Sequence, residues 1–178
     1  MSPEFLLTSL VVVLMPGTGV IYTLAIGLGR GFRESVAAAF GCTLGIVPAA
    51  LASIVGLAAL LHTSALAFQV IKYLGVVYLF YMAWKTLRDS SSLDVSEDRR
   101  KTSLARIALD GALLNVLNPK LSLFFLAFLP QFLSADAANA TGALVSLALV
   151  FMAMTFVVFV IYGAFAASAR DYVLRRPS

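Results

Sequence analysis

Charge is scarce in this sequence. Only 12% of its 178 residues are Asp, Glu, Lys or Arg, against 61% hydrophobic, and the mean hydropathy is +0.95. A soluble domain carries roughly 25% charged residues, and one of this size has too little interior to hide such an apolar excess. Thiols and imidazoles are scarcer still. The single cysteine, Cys42, excludes an intrachain disulfide framework and a multi-thiolate metal site. The single histidine, His62, leaves no ligand set for a catalytic metal. An intramembrane hydrolase would need a serine and a histidine meeting inside the bilayer, and His62 falls in a predicted outer turn. No catalytic residue, enzyme activity, metal or cofactor is therefore expected. A cleavable leader is also missing. The start, MSPEFLLTSLVVVLMPGTG, has no basic region, carries Glu4 and lacks a small-residue cleavage motif, so it is read as a retained membrane helix.

Long apolar runs are what the sequence has. A spanning helix needs roughly 20 mostly apolar residues. Five stretches meet this: about Phe5 to Leu28, Ser35 to Leu61, Ala65 to Leu87, Ile107 to Leu133 and Thr141 to Ala167. None alternates with the period of 2 that a membrane barrel shows. The predicted fold class is all-α, a polytopic transmembrane helix bundle in one membrane domain, 1–178. Short connectors (GRGFRE, HTSA, SADAAN) make successive helices antiparallel neighbours. One connector is long, polar and serine-rich, at 89–105. It separates a three-helix first half (1–88) from a shorter second half (106–178).

The basic residues follow the connectors. Arg30 and Arg33 lie in the first, Lys85, Arg88, Arg99, Arg100, Lys101 and Arg106 in or beside the third, and Arg170, Arg175 and Arg176 in the tail. That alternation is the positive-inside pattern. It places the N-terminus outside and the C-terminus inside, in a multi-pass membrane protein whose partner surface is the lipid bilayer. The net charge of +4 is thereby explained by topology, and no nucleic acid is needed. Tyr78, Tyr81 and Trp84 fit an interfacial aromatic belt.

Two lysines remain, Lys72 and Lys120, both inside predicted spans. A lysine near a helix centre costs about 2.5–3.5 kcal/mol on insertion scales, so it should face a polar cavity or snorkel. Lys72 lies close enough to the outer end of its span to snorkel; Lys120 lies mid-span. Around Lys120 the sequence reads NVLNPK. Pro119 removes a backbone donor and frees the carbonyl of Asn115, while Asn115 and Asn118 add amides. Freed backbone at membrane depth is tolerated only beside protein or a wet cavity, so a helix break is expected here.

The first span carries a matching break. LMPGTGV (14–20) sets Pro16, Gly17 and Gly19 near its middle, with Thr18 and Tyr22 adding hydroxyls. Broken helices at the midplane mark many secondary transporters. Three helices precede the long connector, so the second half enters from the opposite side, the arithmetic of an inverted repeat. The second span holds GCTLG (41–45), a small-xxx-small pattern for close helix approach, with Thr43 beside it. The residues expected to line a substrate site are Pro16, Gly17, Thr18, Gly19, Tyr22, Thr43, Gly45, Lys72, Asn115, Asn118, Pro119 and Lys120.

These motifs resemble the LysE-type amino-acid exporter family, which includes the homoserine/threonine exporters. The resemblance runs from PG at 16–17 and GRG at 29–31, through IKYLGVVYLFYMAWKTLR (71–88), to NVLNPKLSLFFLAFLPQF (115–132). It implies a secondary exporter of amino acids or related small metabolites, driven by the proton gradient and built from six helices. Three departures stand out. Thr18 replaces the second proline of the family's PGP. Ile46 stands where lysine exporters carry Asp, which argues against a cationic substrate. The chain ends after the fifth span, so an inverted three-plus-three repeat would be incomplete. The alternative expectation is a non-transporting five-helix remnant, or an assembly subunit that a partner chain completes. A homo-oligomer is a candidate assembly.

Overall fold

The structure is a computed structural model, and it describes residues 2–63, 70, 73, 77, 81, 84, 102–118, 121, 124, 125, 127–133 and 139–174. Helices and short turns account for these residues, and no strand occurs among them. Each helix begins and ends where local chemistry dictates. Helix α1, Pro3–Leu14, opens on Ser2, whose Oγ accepts the Phe5 N–H at 3.3 Å, with Pro3 in its first turn. It ends because Met15 precedes Pro16 and is pushed to extended backbone, φ −65° and ψ 125°. Helix α2, Thr18–Arg30, starts from extended Gly17 and stops at Gly31, whose φ of +107° suits only glycine. Helix α3, Phe32–Leu44, follows directly. A turn at Gly45 and Ile46 leads into α4, Val47–Thr63.

Helix α5, Leu104–Val116, is capped by Ser103, whose Oγ accepts the Arg106 N–H at 3.2 Å. It breaks at Leu117. Helical positions resume at Leu121, Phe124, Phe125 and Ala127, and the stretch ends in a 3-10 turn, Leu129–Phe132. Helix α6, Ala140–Leu174, is unbroken over 35 residues.

By length and composition, Phe32–Gly56 and Ala140–Arg170 could each cross a membrane. The α1–α2 pair could form a third span, bent by 56° at its break. The fifth expected run thus appears as one helix, and the second as α3 and α4 joined through a turn. The first run is two helices rather than one kinked helix, because Pro16 and Gly17 together remove both the donor and the stiffness needed to continue. The fourth run is likewise split at Leu117. The third lies outside the described residues except for Val70, Tyr73, Val77, Tyr81 and Trp84. All five are helical and at least half exposed, one stripe at helical spacing.

Two packing seams position the site. In the first, α3 lies against α5 with almost no side chain between them. A Cβ at Gly41 would collide with the Ala108 carbonyl, and one at Gly45 with that of Ala112. The GCTLG pattern therefore works as a close-packing seam. In the second, α2 packs along α6, where a Cβ on Gly27 would sit 2.9 Å from the Ala166 methyl. An aromatic chain ties the outer layer. Phe5 meets Phe132 edge-on at 5.3 Å, and Phe128 stacks on Phe124 at 4.9 Å. Phe124 in turn stacks on Phe151 of α6 at 4.7 Å. Such pairs contribute about 0.5–1.5 kcal/mol each beyond burial. Ser53 of α4 donates to the Phe125 carbonyl at 2.8 Å, satisfying a buried hydroxyl.

Candidate functional site

The two helix breaks meet. Asn118, just past the end of α5, donates from Nδ2 to Thr18 Oγ1 at the start of α2, 3.1 Å away across 100 residues of sequence. One turn earlier, buried Asn115 donates from Nδ2 to the Cys42 carbonyl of α3 at 2.7 Å. Asn115 also solves a local problem. Its backbone carbonyl, which Pro119 deprives of its usual helical donor, accepts the Asn118 N–H at 3.1 Å.

On the other side of the meeting point, α1 and α2 present opposite ends to each other. Gly17 has no side chain to cap α2, so the first amides of α2 have no intrahelical partner. The carbonyl of Val12 faces the complementary lack, because its donor position is Pro16. The Leu14 carbonyl is taken by Tyr162 of α6, whose hydroxyl donates to it at 3.0 Å.

Between these ends lies a cavity of about 40 Å³. Its head is polar, from Gly17, Gly19, Asn115, Asn118 and Thr155. Its walls are apolar: Val12, Val13, Val20, Ile46 and Leu121, with a cage of Phe124, Phe151 and Phe159. No Asp, Glu, Lys or Arg lines it among the described residues. A single water needs roughly 10–15 Å³ by this measure, so the cavity holds a few waters and must widen to admit an amino acid. Gly19 keeps it open, since a Cβ there would lie 2.8 Å from Phe159 Cε2 and 3.0 Å from Asn115 Oδ1.

The expected site residues separate into groups. Gly17, Gly19, Asn115 and Asn118 line the cavity. Thr18 borders it through its bond to Asn118, and Pro16 shapes the break. Tyr22 points elsewhere: its hydroxyl donates to the Ile107 carbonyl of α5 at 2.9 Å. Thr43 turns its hydroxyl back to the Ala39 carbonyl at 2.8 Å, and Gly45 lies in the α3–α5 seam. Lys72, Pro119 and Lys120 lie outside the described residues. Sequence reasoning missed the contribution of α6. Thr155, whose hydroxyl donates to the Phe151 carbonyl at 2.9 Å, was the one available signal, a lone hydroxyl inside a long apolar run.

Two apposed helix breaks around a small polar-headed cavity are a feature found in many secondary transporters. The chain belongs to the LysE type translocator family, whose profile matches residues 10–177. It is 34% identical to an uncharacterized membrane protein of Vibrio cholerae over 129 residues, 72% of this chain and 63% of that protein. It is 29% identical to a leucine efflux protein of Enterobacter over 163 residues, 86% of this chain and 75% of that one. To a homoserine/homoserine lactone efflux protein of Salmonella typhimurium it is 32% identical over 129 residues, covering 72% and 63%. The chain thus aligns with a little under two thirds of the Vibrio and Salmonella relatives. No solved structure matches it. It is a multi-pass inner-membrane protein.

Proposed function

We propose that this chain exports neutral amino acids, or closely related small metabolites, from the cytoplasm, and that the proton gradient drives it. The observation that carries this reading is the meeting of two broken helices around one cavity, fixed by the Asn118–Thr18 hydrogen bond. Half-helix ends supply unpaired amides and carbonyls without a fixed net charge, which suits a zwitterion. The Phe124–Phe151–Phe159 cage suits an aliphatic side chain. The relatives' names agree in size and in the amino group: leucine and homoserine are small zwitterions, and homoserine lactone is a small amine without a carboxylate. Carboxylate binding falls to the amides at the start of α2 and to Lys120, two residues beyond Asn118 in sequence.

The test is efflux of labelled leucine and homoserine from preloaded cells or proteoliposomes containing this chain or its Lys120→Ala variant. Export that falls about tenfold or more in the variant supports the reading. Equal export by both removes Lys120 from the site. No export by folded, inserted protein would favour a subunit that needs a partner chain.

A further inference from the structure

Ser9 of α1 breaks a rule that the other buried hydroxyls keep. Thr23, Ser35, Thr43 and Thr155 each donate to a carbonyl one turn back in their own helix, at 2.7–2.9 Å. Ser53 reaches the Phe125 carbonyl. The Ser9 residue is 0% exposed, and its Oγ is the only buried side-chain oxygen or nitrogen without a partner among the described residues. A polar group desolvated without a hydrogen bond is costly, and in lipid no water is at hand to relieve it. Its position supplies a reason. Phe5, Ser9 and Val13 form the buried face of α1 at four-residue spacing, and Val13 lines the cavity. Read away from the cavity, that face presents valine, serine and phenylalanine in steps of about 6 Å. Phe5 closes the far end edge-on against Phe132, with ring centres 5.3 Å apart. The near end joins α2 through extended backbone at Met15 and Gly17, where Pro16 has no N–H to carry the helix across. Beside this join the Tyr162 hydroxyl donates to the Leu14 carbonyl at 3.0 Å.

We infer that α1 is the outer gate of the cavity, swinging about Met15–Gly17, and that Ser9 lines the aqueous path it opens. The structure is the closed state, held by the Phe5–Phe132 contact and the Tyr162–Leu14 hydrogen bond. In the open state water, or the polar part of the passing solute, pairs with the Ser9 hydroxyl. The unpaired hydroxyl therefore raises the closed state relative to the open one, which makes opening easier. The gate rests on the exporter reading above and on the orientation given by the basic connectors. It deepens that reading by naming the way out.

The experiment labels the Ser9→Cys variant of the full chain in intact cells with a membrane-impermeant methanethiosulfonate. The reagent reacts with the thiolate, so it reports water at the thiol. The parent chain, whose Cys42 is fully buried, is the background. The expected result is labelling of the variant about tenfold or more faster than the parent. Adding Tyr162→Phe, which releases the Leu14 carbonyl, should speed it several-fold further; an unchanged rate removes Tyr162 from the gate. A folded Ser9→Cys protein no more reactive than the parent overturns the gate, and labelling only after permeabilisation overturns its outward direction. Ser9→Ala supplies a second readout, because it keeps the shape and removes the unpaired group. It should raise the melting temperature in detergent while slowing leucine export several-fold. Export at the parent rate would make the serine merely structural and take it out of the path. Labelling does not depend on transport. A parent chain that exports no leucine therefore sinks the exporter reading, while the labelling rates still decide whether α1 opens.

Discussion

Gly19 shows how little separates an open cavity from a closed one at this site. The nearest atoms to an added methyl group are a phenyl edge at 2.8 Å and an amide oxygen at 3.0 Å, and a phenyl edge can tilt. Gly19→Ala is therefore expected to fold, with a stability change within about 1 kcal/mol, yet to raise the KM for export about tenfold. Detergent thermal melts together with efflux kinetics check both halves. The Asn118–Thr18 bond is a second residue-scale device. Asn118→Ala and Thr18→Val should each slow export by a similar factor, and the double variant should be little worse than either single one. A double-mutant cycle measures that coupling, and full additivity would mean the two residues act separately.

At the scale of elements, the α3–α5 seam depends on the absence of side chains. The methyl of Gly41→Ala would meet the Ala108 backbone carbonyl, which cannot swing aside. Overpacking of this kind costs about 1–3 kcal/mol. Gly56 in α4 has nothing within 4 Å of an added Cβ. Gly56→Ala should instead stabilise by about 0.5–1 kcal/mol through helix propensity. Unfolding of the two variants in mixed micelles should therefore shift in opposite directions.

The same elements show what the sequence made legible. Pro16 with Gly17 and the NxxNP run announced their breaks, because proline and glycine act locally. GCTLG announced its seam, because small residues four apart have one main structural use in apolar helices. Helix α6 announced almost nothing about which face meets the cavity. In lipid both faces of a helix are apolar, so the amphipathic pattern that reveals a buried face in a soluble protein is erased. Phe151 and Phe159 consequently looked no different from Phe165, which is 71% exposed. Tyr22 and Thr43 drew attention as hydroxyls, but a hydroxyl in an apolar medium more often satisfies a nearby carbonyl than a ligand.

For the whole molecule, the alternating basic connectors make a definite prediction about sidedness. Cys42 is fully buried, which provides a quiet background for labelling. A cysteine placed at Ser96, in the long basic connector, should react with a membrane-impermeant maleimide only after cells are permeabilised. One placed at Ala137, in the connector before α6 that carries no basic residue, should react in intact cells. The reverse pattern would invert the orientation and the direction in which the cavity must open. The order of synthesis adds a consequence of the Tyr162–Leu14 hydrogen bond. Its two ends are 148 residues apart, so the carbonyl end of α1 leaves the ribosome long before its partner. At about 5–20 residues per second, that interval is roughly 7–30 s. During it the first half-helix must be held by water, lipid headgroups or the insertion machinery. The broken helix that shapes the cavity is thus among the first segments made and among the last completed, and a nascent chain stalled before α6 would expose an unfinished helix end to the bilayer.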